Sequence, residues 1–206
     1  MRVTGPAEHP VRWIDDTLAT TGESVVAALR ATDAAAAKAE LARFWTHQPL
    51  TEPESDNFVA IYGADLVGLH DARLSTLLDQ GEWEAAAITL PLATPAAQNV
   101  GRARIALQSG QAGVDKLILV LSDDQRADAG LALDRFRWRM RAKMPDLARE
   151  LMLERSTDAQ ALRVPEDWAK ARADFVREAM RAGDWPLAEK LAAGNFLPEG
   201  GEPFID

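Results

Sequence analysis

The chain has 206 residues, carries 23 Lys and Arg against 32 Asp and Glu for a net charge of −9, and contains no Cys. Without cysteine there is no disulfide, thiol nucleophile or thiolate metal site, and the acidic balance opposes a general affinity for nucleic acid or anionic lipid. No apolar run approaches bilayer-spanning length, since even residues 114–121 hold Asp115 and Lys116, and the opening MRVTGPAEHP lacks the apolar stretch of a secretory leader.

Taken in order, Ile14 and Leu18 suggest a short helix broken at Thr21-Gly22, and Val25, Val26 and Leu29 carry the next. Asp33 is placed to cap a third, whose Ala37, Leu41, Phe44 and Trp45 recur at helical spacing. Two prolines make residues 48–53 a loop. This seam divides the chain into N-terminal helices over 1–52 and a helical repeat over 53–206, unless the two form one continuous domain. Phe58, Ile61 and Tyr62 form an apolar ridge ending at Gly63. A helix is expected from about Ala64 to Gln80, with Leu74, Leu77 and Leu78 inward and Gly81 as its C-terminal cap. Residues 82–90 return along it and stop at Pro91. The next pair runs over 95–109, on Val100, Ala103 and Leu107, and over 114–121, on Val114, Leu117, Ile118 and Leu121, with Gly110 and Gly113 in the turn.

Residues 128–153 are the centre of the pattern. Ala129, Leu133, Phe136 and Met140 make one helical stripe, Pro145 opens a second helix, and Leu147, Ala148, Leu151 and Met152 give that helix its own apolar face. Neither face is buried without the other, so the two pack as an antiparallel pair. Ser122-Asp123-Asp124 is the expected cap of the first. The break recurs: Arg141-Ala142-Lys143-Met144-Pro145-Asp146-Leu147-Ala148 aligns with Arg181-Ala182-Gly183-Asp184-Trp185-Pro186-Leu187-Ala188 at a shift of forty positions, and Gly81-Glu82-Trp83 matches Gly183-Asp184-Trp185 in Gly, acid and Trp. Residues 156–164 read as polar loop, and Pro165 starts a helix with Trp168, Ala171, Phe175 and Ala179 inward, ended by Gly183. The tail over 194–206 reads as a connector towards a further helix, so the repeat looks truncated. The expected fold is all-α, a solenoid of antiparallel helix pairs similar to tetratricopeptide (TPR-like) arrays.

Arg135, Arg137, Arg139 and Arg141, with Lys143, form the one dense basic run, and are the candidate contacts for an anionic glycan-linked peptide or an acidic partner. Steps of two rotate about 200° around a helix, so Arg135 and Arg139 fall on one flank and Arg137 and Arg141 on the other. That arrangement also suits a helix between two neighbours, its arginine stems packed along it. Trp83, Trp138, Trp168 and Trp185 are expected to fill gaps between repeat units rather than to stack on sugars. His9, His47 and His70 are scattered, with no metal-ligand or triad spacing, and no nucleotide loop or other cofactor signal is present.

Four of these stretches resemble one family. Gly130-Leu131-Ala132-Leu133-Asp134-Arg135-Phe136-Arg137-Trp138-Arg139-Met140-Arg141 is similar to the GLAYERFRWRMRK-type helix in the superhelical region of soluble lytic murein transglycosylases. Ala103-Arg104-Ile105-Ala106-Leu107-Gln108-Ser109-Gly110 with Gly113-Val114-Asp115 resembles that family's ARIAL and GVDAL pair, and 181–193 with 197–200 its EGDYRLAYRLAA segment. Phe58-Val59-Ala60-Ile61-Tyr62-Gly63 is similar to its FLARYG. The resemblance covers about residues 58–200. It implies a periplasmic enzyme acting on peptidoglycan, in which an α-superhelix precedes a lysozyme-like domain that cleaves MurNAc–GlcNAc bonds to leave a 1,6-anhydro end. The catalytic Glu of that domain lies in a Glu-Ser motif with Gly-Leu-Met-Gln downstream. The second motif does not occur here. The dipeptides Glu23-Ser24 and Glu54-Ser55 sit near helix starts, where acid and hydroxyl serve as caps. The implied chain is a non-catalytic scaffold, inactive alone, whose partners are glycan strands and its own catalytic domain. The alternative is a TPR-like adaptor for a protein partner. A small helical enzyme has no residue constellation behind it.

Overall fold

The structure, a computed structural model, describes residues 33–197. These contain twelve α-helices and one 3-10 turn and no strand, so the all-α expectation holds over them. The helices expected around Ile14, Leu18 and Val25 to Leu29, the dipeptide Glu23-Ser24 and the tail beyond Leu197 lie outside the described residues. The chain divides into two compact units between Trp45 and Thr46.

In the first unit, Asp33 Oδ1 accepts the amide N–H groups of Ala35 and Ala36 at 3.0 Å and starts α1, Ala34–His47, which buries Ala37, Leu41 and Trp45. In the second, α2 (Glu52–Leu66) begins with a reciprocal cap, Glu54 accepting from both the amide and the hydroxyl of Thr51. These bonds, the hydroxyl's first, hold the Glu54 carboxyl below its ordinary pKa. Glu54-Ser55 is thus a helix start, as its sequence position suggested.

The second unit departs from the expected helix over 64–80. α2 runs through Gly63 to Leu66, and the chain breaks at Gly68, whose φ of 86° is unfavourable for a side chain. α3 (His70–Gln80) follows and packs with α4 (Trp83–Thr89); the 3-10 turn Leu90–Leu92 then leads to α5 (Pro95–Ser109). Next come α6 (Val114–Leu119) and the single turn α7 (Asp123–Arg126). Ser122 caps α7, not the central helix as expected; Asp128 caps that helix, accepting from Leu131 N–H at 2.7 Å. The central helix is α8 (Ala129–Arg141), and its partner is α9 (Pro145–Arg155). Its stripe is shorter than expected, because Met140 is exposed. The expected loop at 156–164 contains a helical turn, α10 (Ala159–Leu162), capped by Asp158 and holding Leu162 fully buried. α11 (Glu166–Ala182) and α12 (Trp185–Ala193) complete the unit.

The repeated break has one geometry. After α3, Gly81 N–H bonds Leu78 O and Glu82 N–H bonds Leu77 O; after α8, Lys143 and Met144 bond Met140 O and Arg139 O; after α11, Gly183 and Asp184 bond Met180 O and Ala179 O. This paired 5→2 and 6→1 pattern is the Schellman motif, with a left-handed residue at its turn. Gly81 and Gly183 supply it at φ 84° and 76°, and Lys143 adopts it at φ 58°. The two-residue reversal folds each following helix back on the one before.

Among the described residues of the unit, apolar cores follow one another along the chain. Leu74, Leu77, Leu78, Ala85, Ala86 and Ile105 form the first. Ala103, Ala106, Leu107, Val114, Leu121 and Leu131 form the second. Leu133, Phe136, Leu151, Met152, Leu162, Trp168, Phe175 and Leu191 are in the third, where Phe136 and Trp168 stack at 4.4 Å between centroids. α5 and α8 each serve two cores. Each fully buried Leu or Phe adds about 1.5–3 kcal/mol, so neither helix keeps its position without both neighbours. Trp168 is fully buried, and Trp83 and Trp138 pack beside cores as expected, whereas Trp185 is 62% exposed. It opens α12 at the end of the described helices, and only Leu187, Ala188 and Leu191 of that helix face inward.

Candidate functional site

α8 carries charge on two flanks, put to different use. On the first, Asp134 is almost wholly buried and accepts from Arg104 Nε of α5 at 2.6 Å and from Gln108 Nε2 at 3.0 Å. Arg104, equally buried, reaches on to Asp79 of α3 at 3.0 Å. Asp79 also accepts from Arg163, whose guanidinium bonds Ser75 as well. Burial raises the Asp134 pKa against the opposing pull of Arg104. Gly130, one turn earlier, makes room: a Cβ there would stand 2.5 Å from Arg104 Nη1. This network joins α3, α5, α8 and the loop before α11, and the Arg104 and Asp134 side chains at its centre are engaged with one another and with Asp79 and Gln108. It is structural.

Two more arginines, Arg73 and Arg172, are buried. Arg73 donates to Thr89 Oγ1 and Gln48 O, and Arg172 to Leu191 O and Ser156 Oγ. Desolvation lowers each to about 10, which leaves both charged at neutral pH.

On the other flank of α8, a cleft of about 200 Å³ opens towards α6 and α7. Leu107, Val114, Ile118 and Trp138 line it, with Arg126, Arg135 and Arg139 as its cations and Asp115 opposite them in charge. Arg139 is tethered through Leu147 O at 2.6 Å, and Arg126 through Asp123 at 2.5 Å. Arg135 is different: half-buried, it makes no hydrogen bond and no ion pair with any described residue. Burial lowers its pKa, and the nearby cations Arg139 and Arg155 act in the same sense, opposed by Glu154 and Asp115.

The four candidate arginines therefore divide as the helical rotation requires. Arg135 and Arg139 share the cleft. Arg137 pairs with Asp167 of α11 at 2.8 Å, and Arg141 donates to Leu107 O at 2.8 Å; both brace α8 against its neighbours. Arg126, Arg155 and Asp115, which complete the cleft's field, gave no signal in the sequence because they come from separate helices. No protein-family model, curated protein or solved structure is matched by this chain. A larger hollow of about 400 Å³ between α3, α5 and α7 is lined by Leu74, Leu78 and Val100 under Asp71, Asp124 and Asp128. Two of its acids are occupied, Asp71 by Thr94 and Asp128 as the cap of α8. Among the described residues no group of three His, Asp or Glu is placed to hold a metal, and no helix is long and apolar enough to cross a membrane.

Proposed function

We propose that this chain is a non-catalytic helical scaffold, the α-superhelical region of a periplasmic soluble lytic transglycosylase whose catalytic domain cleaves MurNAc–GlcNAc bonds in peptidoglycan to a 1,6-anhydro product. In this reading the helix pairs are stacked as a TPR-like superhelix that frames the catalytic domain and holds glycan strands near it. One observation carries the reading. Two of the stretches that carry the family resemblance, 103–110 and 130–141, interlock around Arg104, Asp134 and Gly130, which in this reading is the fit of one repeat unit on the next. Sharing of α5 and α8 between successive cores supports the superhelical arrangement, because repeat units bury their faces only against neighbours.

A protein-binding adaptor is the second reading, favoured by Leu119 and Val120, adjacent apolar side chains that are 77% and 74% exposed. Incubation with insoluble peptidoglycan sacculi, followed by pelleting and mass spectrometry of the supernatant, separates the two. Pelleting without released anhydro-muropeptides is the expected result. A chain that stays wholly in the supernatant contradicts the scaffold reading and favours the adaptor.

A further inference from the structure

We propose that the cleft between α6, α7 and α8 is a binding site for a single carboxylate on a short apolar stem, such as a peptide C-terminus ending in a small residue. The inference rests on the cleft alone and holds whether or not the ligand comes from the cell wall.

Arg135 is the recognising group. Its neighbours Arg126 and Arg139 have committed donors to Asp123 and to Leu147 O, but its own guanidinium fork is unused. A planar fork of two parallel N–H groups matches one carboxylate. Half-burial strengthens that bond, because a partly dry site screens charge less than water does. Arg139 and Arg126 line the same cleft, and Arg155, whose Nε is buried without an acceptor, adds to the field at Arg135.

The rest of the lining sets the charge and size of the ligand. Asp115 lies in the cleft and Glu154 acts on Arg135 from nearby, so part of the positive field is already neutralised. That balance suits one negative charge better than the two of a phosphate. Leu107, Val114, Ile118 and Trp138 offer apolar contact beside it, in a volume of about 200 Å³, below the range of drug-sized pockets. A short stem fits, and a sugar chain does not. Against the chain's net charge of −9, a local cationic cleft also admits a small anion while the remaining surface repels a polyanion.

The test is titration of the full chain with N-acetylalanine, followed by ¹⁵N NMR of the arginine Nε–Hε signals, with the Arg135 signal assigned by its loss in R135Q. N-acetylalaninamide and inorganic phosphate are titrated in parallel, and circular dichroism verifies that R135Q and R135K are folded. The expected result is a saturable shift of the Arg135 signal at millimolar N-acetylalanine and none with the neutral amide. Loss of the fork in R135K, charge retained, weakens binding by about tenfold, and R135Q weakens it at least as much. Four results overturn the proposal: no Arg135 shift, an equal shift with the amide, tighter binding of phosphate than of N-acetylalanine, or wild-type affinity in both variants.

Discussion

Removing the Asp134 carboxylate is the most informative perturbation of the fold. In Asp134→Ala, Arg104 Nε loses a 2.6 Å acceptor at a site where the Arg104 side chain is only 3% exposed. Breaking a buried pair by deleting one partner costs about 3–5 kcal/mol, because the remaining charge stays buried without compensation. Asp79 still receives Arg104 Nη2 at 3.0 Å, and Gln108 still reaches Leu78 O, which puts the expected loss near the lower end, about 3 kcal/mol. For a chain of this size that is a fall in Tm of about 6–12 °C. Urea unfolding followed by circular dichroism and tryptophan fluorescence measures it. The double variant R104M/D134L removes both charges, leaves Asp79 paired with Arg163, and is expected to recover most of the loss. A single-variant loss below about 1 kcal/mol, or a double variant as unstable as the sum of its parts, would refute the coupling.

Three further perturbations have signed outcomes. Gly130→Ala drives a methyl group into the Arg104 guanidinium and is expected to lower stability by about 1–3 kcal/mol, although an ordinary helical Gly→Ala gains up to about 1 kcal/mol; a net gain in thermal melting would contradict the close fit. Lys143→Gly relieves a left-handed residue at the break after α8 and should raise stability by about 0.5–1 kcal/mol, read as a higher urea midpoint. His70 is pushed below its ordinary pKa first by burial and then by Arg73, against Asp71. Its unfolded form therefore takes up a proton first, so its contribution is full above about pH 6.5 and is lost as pH falls through the folded-state value. The pH dependence of unfolding should flatten across that window in His70→Gln, and identical profiles for the two proteins would rule the effect out.

Much of the helical order was legible because its signals are local. Gly81, Pro145, Pro165 and Gly183 mark their helix ends by backbone chemistry that needs no tertiary partner, and Leu74, Leu77, Phe136 and Phe175 reveal their burial by spacing alone. Local signals also misled. Gly63 looked like a terminus but sits inside α2, while the break falls at Gly68, whose left-handed φ no spacing rule exposes. Ser122 was a real cap, assigned to the wrong helix because Asp128, six residues on, caps the next. The buried network was invisible for a different reason. Asp79, Arg104, Asp134 and Arg163 are distant in sequence, and each reads as an ordinary surface charge until the helices pack. The nearest thing to a signal was Gly130 four residues before Asp134, a missing side chain and a carboxylate on one face of the same helix. Arg135 shows the same limit. Rotation around α8 places it beside Arg139, but that its guanidinium has no partner depends on α6, α7 and α9.

The most direct measurement of the proposed role is binding to two preparations of peptidoglycan, intact sacculi and glycan strands stripped of stem peptides by amidase, for the wild-type chain and R135Q. A scaffold whose α8 cleft takes a peptide carboxylate should pellet with intact sacculi, bind the stripped glycan more weakly, and lose that preference in R135Q. A chain that remains in solution with both preparations would contradict the cell-wall role.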